Sequence, residues 1–398
     1  MFTRSAWCRV LFIALVFALA TGASAQVARL GAVGDSLSDE YFEQSYAYAK
    51  NWTMQLVEYR AVDMGPTAQA AGRPGGTWGE PRRTGYEYNW ARYGADSGSL
   101  LAEGQHTGLA AQAGPVGGGG GRGVTHAVVA IGANDFSPTT NAYFSLYWGL
   151  WSQSQIDSYV AAQVADVNAA VQALDAAGLK LVLGNYVDFG IAPVTRQIYT
   201  NASRRERITA VIAKVNEEIE LIARRRHLVL LNLNAMGTTI FGTNSSLRQY
   251  LAIGNVNIQL FNRDTASHSN PLAGFVDDGA HPHTSVQGVF ANAVMTALNT
   301  GWGASYPLFS DQEILSHAGI AYGGAETLAA HVGPYSQYVR TFRCPGDYNG
   351  DGHLAVVDIF EYLNAWFAGN PGTDVDGVPG LQVADIFAFL NAWFAGCP

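Results

Sequence analysis

The sequence predicts an α/β protein with three layers, in which helices cover both faces of a parallel β-sheet. Between residues 27 and 298, short apolar runs with strand character alternate with segments that have helical spacing. Such βαβ alternation is typical of a parallel sheet covered on both sides. Hydrophobic residues make up 48% of the chain and charged residues 14%, which suits a globular protein with an ample core. In sheets of this kind the functional site lies beyond the carboxyl ends of the strands.

The individual elements follow from local periodicity and from helix formers. Strands are predicted at 28–33, 60–64, 124–131, 180–184 and 228–233. Helices are predicted at 156–177, 204–226, 284–298 and 310–317, the third of them directly after a proline. Beyond residue 318 the pattern loosens into a Gly- and Tyr-containing connection.

Composition also excludes one class of partner. The net charge of -9 leaves no basic stripe that could neutralise phosphates, so a nucleic-acid partner is not expected. The densest basic cluster, within 204–226, is interleaved with Glu on a helical stretch and indicates a solvated helix face.

The first residues have the pattern of a secretory signal peptide. Arg4 and Arg9 precede an apolar run over 10–20, and an Ala-Ser-Ala cleavage pattern ends at Ala25. That run is too short for a membrane span and no later segment qualifies, so the mature chain is predicted to have no transmembrane segment. Cleavage would leave only Cys344 and Cys397, which indicates a single disulfide in an oxidising compartment. We therefore expect a secreted or surface-attached protein.

A serine between small and apolar residues follows the first strand, in the segment Val33-Gly34-Asp35-Ser36-Leu37-Ser38-Asp39. A sharp turn there would place the Ser36 hydroxyl at the carboxyl edge of the sheet. The backbone N–H groups that follow would be free to hold an oxyanion. The alternative is an ordinary βα turn in which Ser36 caps a helix.

Three other segments near predicted strand ends carry chemistry that would complement Ser36. Asn134 follows the end of the strand at 124–131 and can donate a side-chain hydrogen bond toward a neighbouring strand end. Asp278 lies three residues before His281 and can orient its imidazole, as in the base-and-orienter half of a catalytic triad. Gly94 could offer an unobstructed backbone N–H.

Together and in this order, the four segments resemble the SGNH (GDSL) hydrolase family over roughly residues 27–298. The resemblance implies a flavodoxin-like parallel sheet and a serine esterase or lipase that needs no cofactor for catalysis. It implies that Ser36 is the nucleophile, His281 the general base and Asp278 the residue that orients His281. The oxyanion hole would consist of the N–H groups of Ser36 and Gly94 with the Asn134 side chain.

Two other residues of the histidine segment could be assigned a role. Asp277 is a rival for the orienting role, although its spacing to His281 fits the family less well. His283 stands where the family often has a small hydroxylated residue, and it is interpreted as a bystander.

Two further stretches have a notable composition. The run 114–123 matches G-x-G-x-x-G, but it precedes a strand, and this favours a flexible loop over a dinucleotide site. The aromatic stretch 136–151 is either a flap packed on itself or a lip that contacts substrate.

The C-terminal segment contains an internal repeat, in which Asp347 and Asp358 recur 27 residues later as Asp374 and Asp385. Oxygen ligands at loop positions one, three, five and twelve, with Gly at six, follow EF-hand logic. The segment resembles a dockerin ending in a Gly-Cys motif, with the aromatic residues after each loop interpreted as core. The resemblance implies Ca²⁺ at Asp347, Asn349, Asp351 and Asp358, with Asp374, Asp376 and Asp385 as a weaker second set. A disulfide between Cys344 and Cys397 would join the ends of this module.

The sequence thus predicts a signal peptide (1–25), a catalytic domain (26–320), a linker (321–343) and a dockerin-like calcium-binding module (344–398). The favoured function is a secreted serine esterase or lipase, with a cell-surface or cohesin-like partner for the module. Two alternatives stay open. A carbohydrate O-acetylesterase would use the same triad, and a non-catalytic surface or adhesion protein would keep the fold only as a scaffold.

Overall fold

The structure is a computed structural model that describes residues 29–116, 120–375, 378 and 380–396. The predicted signal peptide, Asp376 and Cys397 lie outside these residues, as does part of the 114–123 run. The strands are β1 Leu30–Gly34, β2 His126–Ala130, β3 Lys180–Gly184, β4 Val229–Leu231, β5 Tyr250–Ile253, β6 Val256–Arg263, β7 Ala273–Phe275 and β8 Val339–Thr341. The α-helices are α1 Trp52–Arg60, α2 Ser97–Ala102, α3 Gln105–Gln112, α4 Asn141–Trp148, α5 Gln153–Ala176, α6 Pro193–Ile198, α7 Ala202–Arg225, α8 Leu233–Phe241, α9 Thr284–Trp302, α10 Asp311–His317, α11 Leu328–Val332, α12 Val356–Phe367 and α13 Val383–Ala395.

The central sheet is mixed and has the order β1-β2-β3-β4-β8. Strands β1 to β4 are parallel, as predicted, and their residues are almost all buried because helices cover both faces. Strand β8 pairs antiparallel with β4, with Leu231 opposite Val339, so the prediction of an all-parallel sheet is wrong at this edge. A three-residue strand is too short to show a period in the sequence.

Two separate hydrophobic clusters lie on the two faces of this sheet. One contains apolar residues of α1, α8 and α9, such as Leu56, Ile240 and Val289. The other contains residues of α3, α5 and α7, such as Val167 and Ile212. The arrangement is the predicted three-layer α/β architecture.

The long helices begin where capping side chains are available. Helix α5 begins at Gln153, earlier than predicted, because Ser152 and Gln155 form a reciprocal capping box. Helix α7 begins after Asn201, whose side chain accepts the N–H of Arg204.

The strand predicted at 60–64 is absent. Helix α1 instead continues to Arg60, and Ala61 ends it in the left-handed region with φ 50°. Val62 and Met64 are nevertheless buried, and the carbonyl oxygen of Asp63 accepts the N–H of Leu30 at 2.9 Å. The apolar pattern was therefore that of a core-packed segment beside β1 without a ladder of hydrogen bonds.

A second sheet, β5-β6-β7, was not predicted. Strands β5 and β6 form a hairpin around Gly254 and Asn255, both with positive φ (58° and 62°). Such a two-residue turn is the available sequence signal for a hairpin. Strand β7 has only three residues and carries no pattern of its own.

Residues 321–343, predicted as a linker, are integrated into the fold rather than extended. They contain α11, a short 3₁₀ turn over Tyr335–Tyr338, and strand β8 of the central sheet. The connection to the C-terminal segment therefore begins from a strand that is hydrogen-bonded to β4.

The C-terminal segment contains α12 and α13, one helix for each sequence repeat. Their main contact is a parallel stack of Tyr362 on Phe389, with ring centroids 4.0 Å apart and both side chains fully buried. The expectation that the other aromatics are core is wrong for Phe360 and Phe367 and for their repeats, since each is more than 60% exposed. No helix in the described part of the chain has both the length and the apolar character that a membrane span requires.

Candidate active site

The turn after β1 presents the Ser36 side chain at the carboxyl edge of the sheet. Gly34 ends the strand where a Cβ would collide with the carbonyl oxygen of Ala130, so only glycine permits this approach of β1 to β2. The carbonyl oxygen of Asp35 accepts the N–H groups of Ser38 and Asp39, both at 3.0 Å, and closes the turn. Ser36 stands at its apex and is 7% exposed.

The loop before α9 brings His281 onto Ser36. His281 Nε2 lies 2.6 Å from Ser36 Oγ, although the two residues are 245 positions apart in the sequence. On the other side of the ring, His281 Nδ1 hydrogen-bonds Asp278 Oδ2. The structure therefore brings together the three residues Ser36, His281 and Asp278 that the sequence predicted for a triad.

Asp278 is held by four donors. Its Oδ1 accepts the backbone N–H groups of Ala280 and His281 at 2.8 and 3.1 Å. Its Oδ2 accepts His281 Nδ1 and the hydroxyl of Tyr46, the latter at 2.8 Å. Burial alone would raise the pKa of Asp278, but the hydrogen bond and charge of His281 and the two N–H groups outweigh it and lower the pKa to about 2. The Asp278 carboxylate is thus ionised at neutral pH.

Two tyrosines that the sequence analysis did not single out enclose His281. The ring of Tyr46 lies 5.2 Å from the imidazole at 36°, and the ring of Tyr41 lies 6.1 Å away, edge-on. Tyr41 also donates to the carbonyl oxygen of Pro282 at 3.0 Å and so fixes the residue after His281. Both contacts span more than 230 residues, and no local pattern marks them.

A buried acidic side chain joins the serine turn to the segment that carries Gly94. Asp39 Oδ2 accepts the N–H of Tyr93 at 2.7 Å, and burial raises the pKa of Asp39 to about 7 against that hydrogen bond. The N–H of Arg92 donates to the carbonyl oxygen of Gly34 at 3.0 Å. These two hydrogen bonds hold Gly94 beside the serine turn.

The N–H groups of Ser36 and Gly94 donate to no protein acceptor within the described part of the chain. Gly94 is exposed, and a Cβ there would meet no atom within 4 Å. Unpaired N–H groups beside a serine hydroxyl are the kind of donors that an oxyanion hole requires.

Asn134 lies where the sequence predicted it, after β2 and next to the same segment. Its Nδ2 donates to the carbonyl oxygen of Ala95 at 2.9 Å, which ties it to the residue after Gly94. An amide group carries two hydrogens, so this bond orients Asn134 and leaves the second hydrogen for another acceptor.

The two competing residues of the histidine segment point elsewhere. Asp277 Oδ2 lies 3.8 Å from His268 Nδ1, and His268 stacks on Tyr48. His283 accepts the N–H of Thr284 with its Nδ1 and caps α9, while its Nε2 lies 3.6 Å from the buried Asp264. Neither residue contacts the Ser36–His281 pair.

The aromatic stretch 136–151 folds into a loop and helix α4. Tyr143 and Tyr147 are buried and each lies 4.7 Å from Tyr199, so the inner side of the flap packs on the segment between α6 and α7 and not only on itself. Phe144 and Trp148 on the same helix are nearly half exposed, so the outer side of the flap is apolar.

No group of three or more His, Cys, Asp or Glu side chains in the described residues is arranged to hold a metal ion. The first repeat loop nevertheless has a donor set that fits a hard cation. Asp347 and Asp358 are buried, and burial together with the charges of Asp358 and Asp351 raises the pKa of Asp347 to about 6, against the N–H of Gly352. Their oxygens accept N–H groups of the loop itself, such as that of Gly350 at 2.9 Å.

Chemically, the site can perform acyl transfer. A serine hydroxyl touches an imidazole, the imidazole is oriented by a carboxylate, and unpaired N–H groups stand nearby for a developing oxyanion.

Comparison with known proteins agrees with this arrangement. A family model described as GDSL-like lipase/acylhydrolase matches residues 30–294, which include Ser36, Gly94, Asn134, Asp278 and His281. No curated protein matches the chain.

Several solved structures are similar at low identity. An acetyl xylan esterase from Geobacillus stearothermophilus is 13% identical, with 69% of this chain and 95% of that chain covered and a TM-score of 0.38. An extracellular lipase from Streptomyces rimosus is 16% identical, with 68% and 98% covered and a TM-score of 0.36. A GDSL-like lipase from Bacteroides thetaiotaomicron is 12% identical, with 68% and 88% covered and a TM-score of 0.37.

Proposed function

The chain belongs to the GDSL-like lipase/acylhydrolase family, and on that basis we propose that it is an exported serine ester hydrolase with a Ser36–His281–Asp278 triad. The observation that carries the proposal is the 2.6 Å distance between Ser36 Oγ and His281 Nε2, with Asp278 bound to the opposite nitrogen. A helix-capping serine would need no such partner, so the contact favours the catalytic interpretation of Ser36.

In the acylation step, Ser36 Oγ attacks the ester carbonyl carbon while His281 Nε2 accepts the hydroxyl proton. Asp278 stabilises the imidazolium and keeps Nδ1 protonated. The carbonyl oxygen becomes an oxyanion, which accepts hydrogen bonds from the N–H groups of Ser36 and Gly94 and from Asn134. Collapse of the intermediate breaks the ester bond, and the leaving alkoxide takes the proton from His281.

In the deacylation step, water takes the place of the alcohol. His281 Nε2 accepts a proton from the water as its oxygen attacks the acyl carbon, and the same N–H groups hold the second oxyanion. When the bond to Ser36 Oγ breaks, His281 returns the proton to the serine and the free acid leaves. The cycle consumes one water and needs no cofactor.

The test is hydrolysis of chromogenic acetyl, butyryl and long-chain esters by the mature protein and by Ser36→Ala. We expect Ser36→Ala to lose at least about a thousandfold in kcat, because the covalent path is removed. Ser45→Ala, a change at an exposed neighbouring serine, serves as the control. Undiminished turnover by Ser36→Ala would contradict the triad, and no turnover by a folded wild type would favour the non-catalytic scaffold.

We propose further that the protein is exported by its N-terminal signal peptide and is attached through its dockerin-like C-terminal module. Support for attachment comes from the module surface, where Phe360, Phe367, Phe387 and Phe394 are between 63% and 77% exposed. They occupy equivalent positions in the two repeats, so the module presents the same aromatic pair twice. Exposed aromatic pairs of this kind are typical of a protein-binding surface.

For the module itself we propose Ca²⁺ in the first loop and a disulfide between Cys344 and Cys397. Asp347, Asn349, Asp351 and Asp358 would hold the cation, which would offset the repulsion between the buried carboxylates. A module of two helices has a small core, so a metal ion and a disulfide would both contribute to its stability.

A further inference from the structure

A cavity of about 100 Å³ lies behind the catalytic turn, between the segment after β3, helix α8 and the histidine loop. Its walls are mainly apolar, and they include the aromatic side chains of Phe241, Phe275 and Phe290 and the aliphatic side chains of Leu37 and Ile191. A single water needs only about 10–15 Å³ of such volume, so the space greatly exceeds what one water or one methyl group fills.

One end of the cavity adjoins the triad. Leu37 follows the nucleophile, and Ala280 and Pro282 stand on either side of His281, and all three line the cavity. A second apolar cavity of about 30 Å³ also contacts Leu37 and Phe290, on the side of the sheet. The apolar space therefore begins at the chain neighbours of Ser36 and His281, which themselves are not among the residues that line it.

The other end is lined by polar side chains whose hydrogen bonds are already satisfied. Asp188 Oδ2 accepts the Thr209 hydroxyl at 2.6 Å and Asn244 Nδ2 at 2.9 Å, and Asp188 Oδ1 accepts the N–H of Gly190 at 2.7 Å. Arg205 Nε donates to Asn244 Oδ1 at 2.9 Å. Because these groups bond one another, they require no polar ligand.

Gly237 stands in the interior of α8 and lines the cavity. A Cβ added there would meet no atom within 4 Å, so no neighbouring side chain or backbone requires a glycine. Glycine inside a helix weakens it relative to alanine, since it has more conformational freedom to lose on folding. Gly237 therefore leaves room in the wall of the cavity where a larger side chain could be accommodated.

From the cavity, its apolar walls and Gly237, we propose that this space is the acyl site and that the substrate is an ester of an aliphatic acid longer than acetate. The proposal rests on the serine ester hydrolase function and narrows it. The alkyl chain lies along α8 with its carbonyl carbon at Ser36. An acetyl group would leave most of the cavity unfilled, so the specificity is that of a fatty-acyl esterase rather than an O-acetylesterase.

The experiment compares kcat/KM for p-nitrophenyl acetate, butyrate, hexanoate and octanoate. Each buried methylene contributes about a fourfold gain, so we expect hexanoate to exceed acetate by at least about tenfold in the wild type. Gly237→Leu fills the cavity and should lower the hexanoate-to-acetate ratio by at least about tenfold. Thr239→Leu adds bulk to the same helix outside the cavity and should leave that ratio within about twofold. Melting temperatures establish that both variants fold.

A flat or falling chain-length profile in the wild type would overturn the proposal, and so would an unchanged ratio in a folded Gly237→Leu. Turnover that is absent, or undiminished by Ser36→Ala, means instead that the hydrolase function fails. In that case, binding of octanoate tests separately whether the cavity takes an alkyl chain. A rise in melting temperature that Gly237→Leu abolishes supports an acyl site, and no rise overturns it.

Discussion

Replacement of Asp278 by asparagine should be more damaging than replacement by alanine, because of the hydrogen bonds around this carboxylate. Oδ1 accepts two backbone N–H groups, those of Ala280 and His281. In the Asp278→Asn variant the amide oxygen would therefore occupy the Oδ1 position, and the NH₂ group would face His281 Nδ1. That donor forces Nδ1 to be the acceptor, which moves the imidazole proton to Nε2. A protonated Nε2 cannot take the proton of Ser36.

The structure also sets the magnitude of the effect. The opposite amide orientation would restore the catalytic tautomer but would place NH₂ against two backbone N–H groups. Leaving two donors unpaired costs about 1–2 kcal/mol each at this partly exposed site. The competent orientation is therefore populated at about one part in thirty to one part in a thousand. Asp278→Asn should be lower in kcat/KM than Asp278→Ala by that factor, in addition to the loss of carboxylate charge that both variants share.

The assay is hydrolysis of one p-nitrophenyl ester by wild type, Asp278→Asn and Asp278→Ala, with the melting temperature of each as a folding control. Asp277→Asn is the matched control, since Asp277 faces His268 and not the triad. Equal activity of the two Asp278 variants, or a more active asparagine, would refute the tautomer argument. An Asp277→Asn variant as inactive as Asp278→Asn would transfer the orienting role to Asp277.

Two further predictions concern stability. Burial raises the pKa of Asp135 from 3.8 to about 7, against hydrogen bonds from Ser97. The folded state therefore binds this proton more tightly than the unfolded state does, and stability should fall as pH rises from about 4 to about 7. Asp135→Asn should remove on the order of 2 kcal/mol of the difference in unfolding free energy between pH 5 and pH 8, and an unchanged difference in urea titrations would contradict this. Chelation with EGTA should lower the temperature at which the C-terminal module of the mature protein unfolds, because a bound cation stabilises only the folded loop. The same treatment should not change the melting temperature of an Asp347→Ala variant. An equal shift in both proteins, or none in wild type, would remove the calcium proposal.

Much of the three-layer α/β fold was predictable because its signals are local. Strand β3 occurs at the predicted residues, and α5, α7, α9 and α10 lie within a few residues of their predicted bounds. Apolar periodicity and capping residues act over one or two turns of chain, so the sequence displays them directly. The same holds for the pair Asp278 and His281, whose three-residue spacing already allows one side chain to reach the other.

The elements that escaped prediction are short or depend on distant partners. Strand β8 has three residues and exists because β4 offers it an edge, and the apolar residues Val62 and Met64 pack beside β1 without a ladder. On the C-terminal module, the apolar character of Phe360 and Phe367 indicated core, but two helices can bury only the stripe that faces the partner helix.

By itself, the sequence determined which residue types were available and at which strand ends: Ser36 after β1, Asn134 after β2, and Asp278 with His281 before α9. It also determined the alternation that forms a parallel sheet. Only the tertiary structure decided that Asp278 rather than Asp277 meets His281 and that Tyr46 donates a fourth hydrogen bond to the Asp278 carboxylate. It also decided that Gly237 lines a cavity beside the serine turn and the histidine loop. The physical reason is distance along the chain. Periodicity, capping and turn chemistry act between near neighbours, whereas a hydrogen bond between residues more than 200 positions apart exists only after the layers have packed.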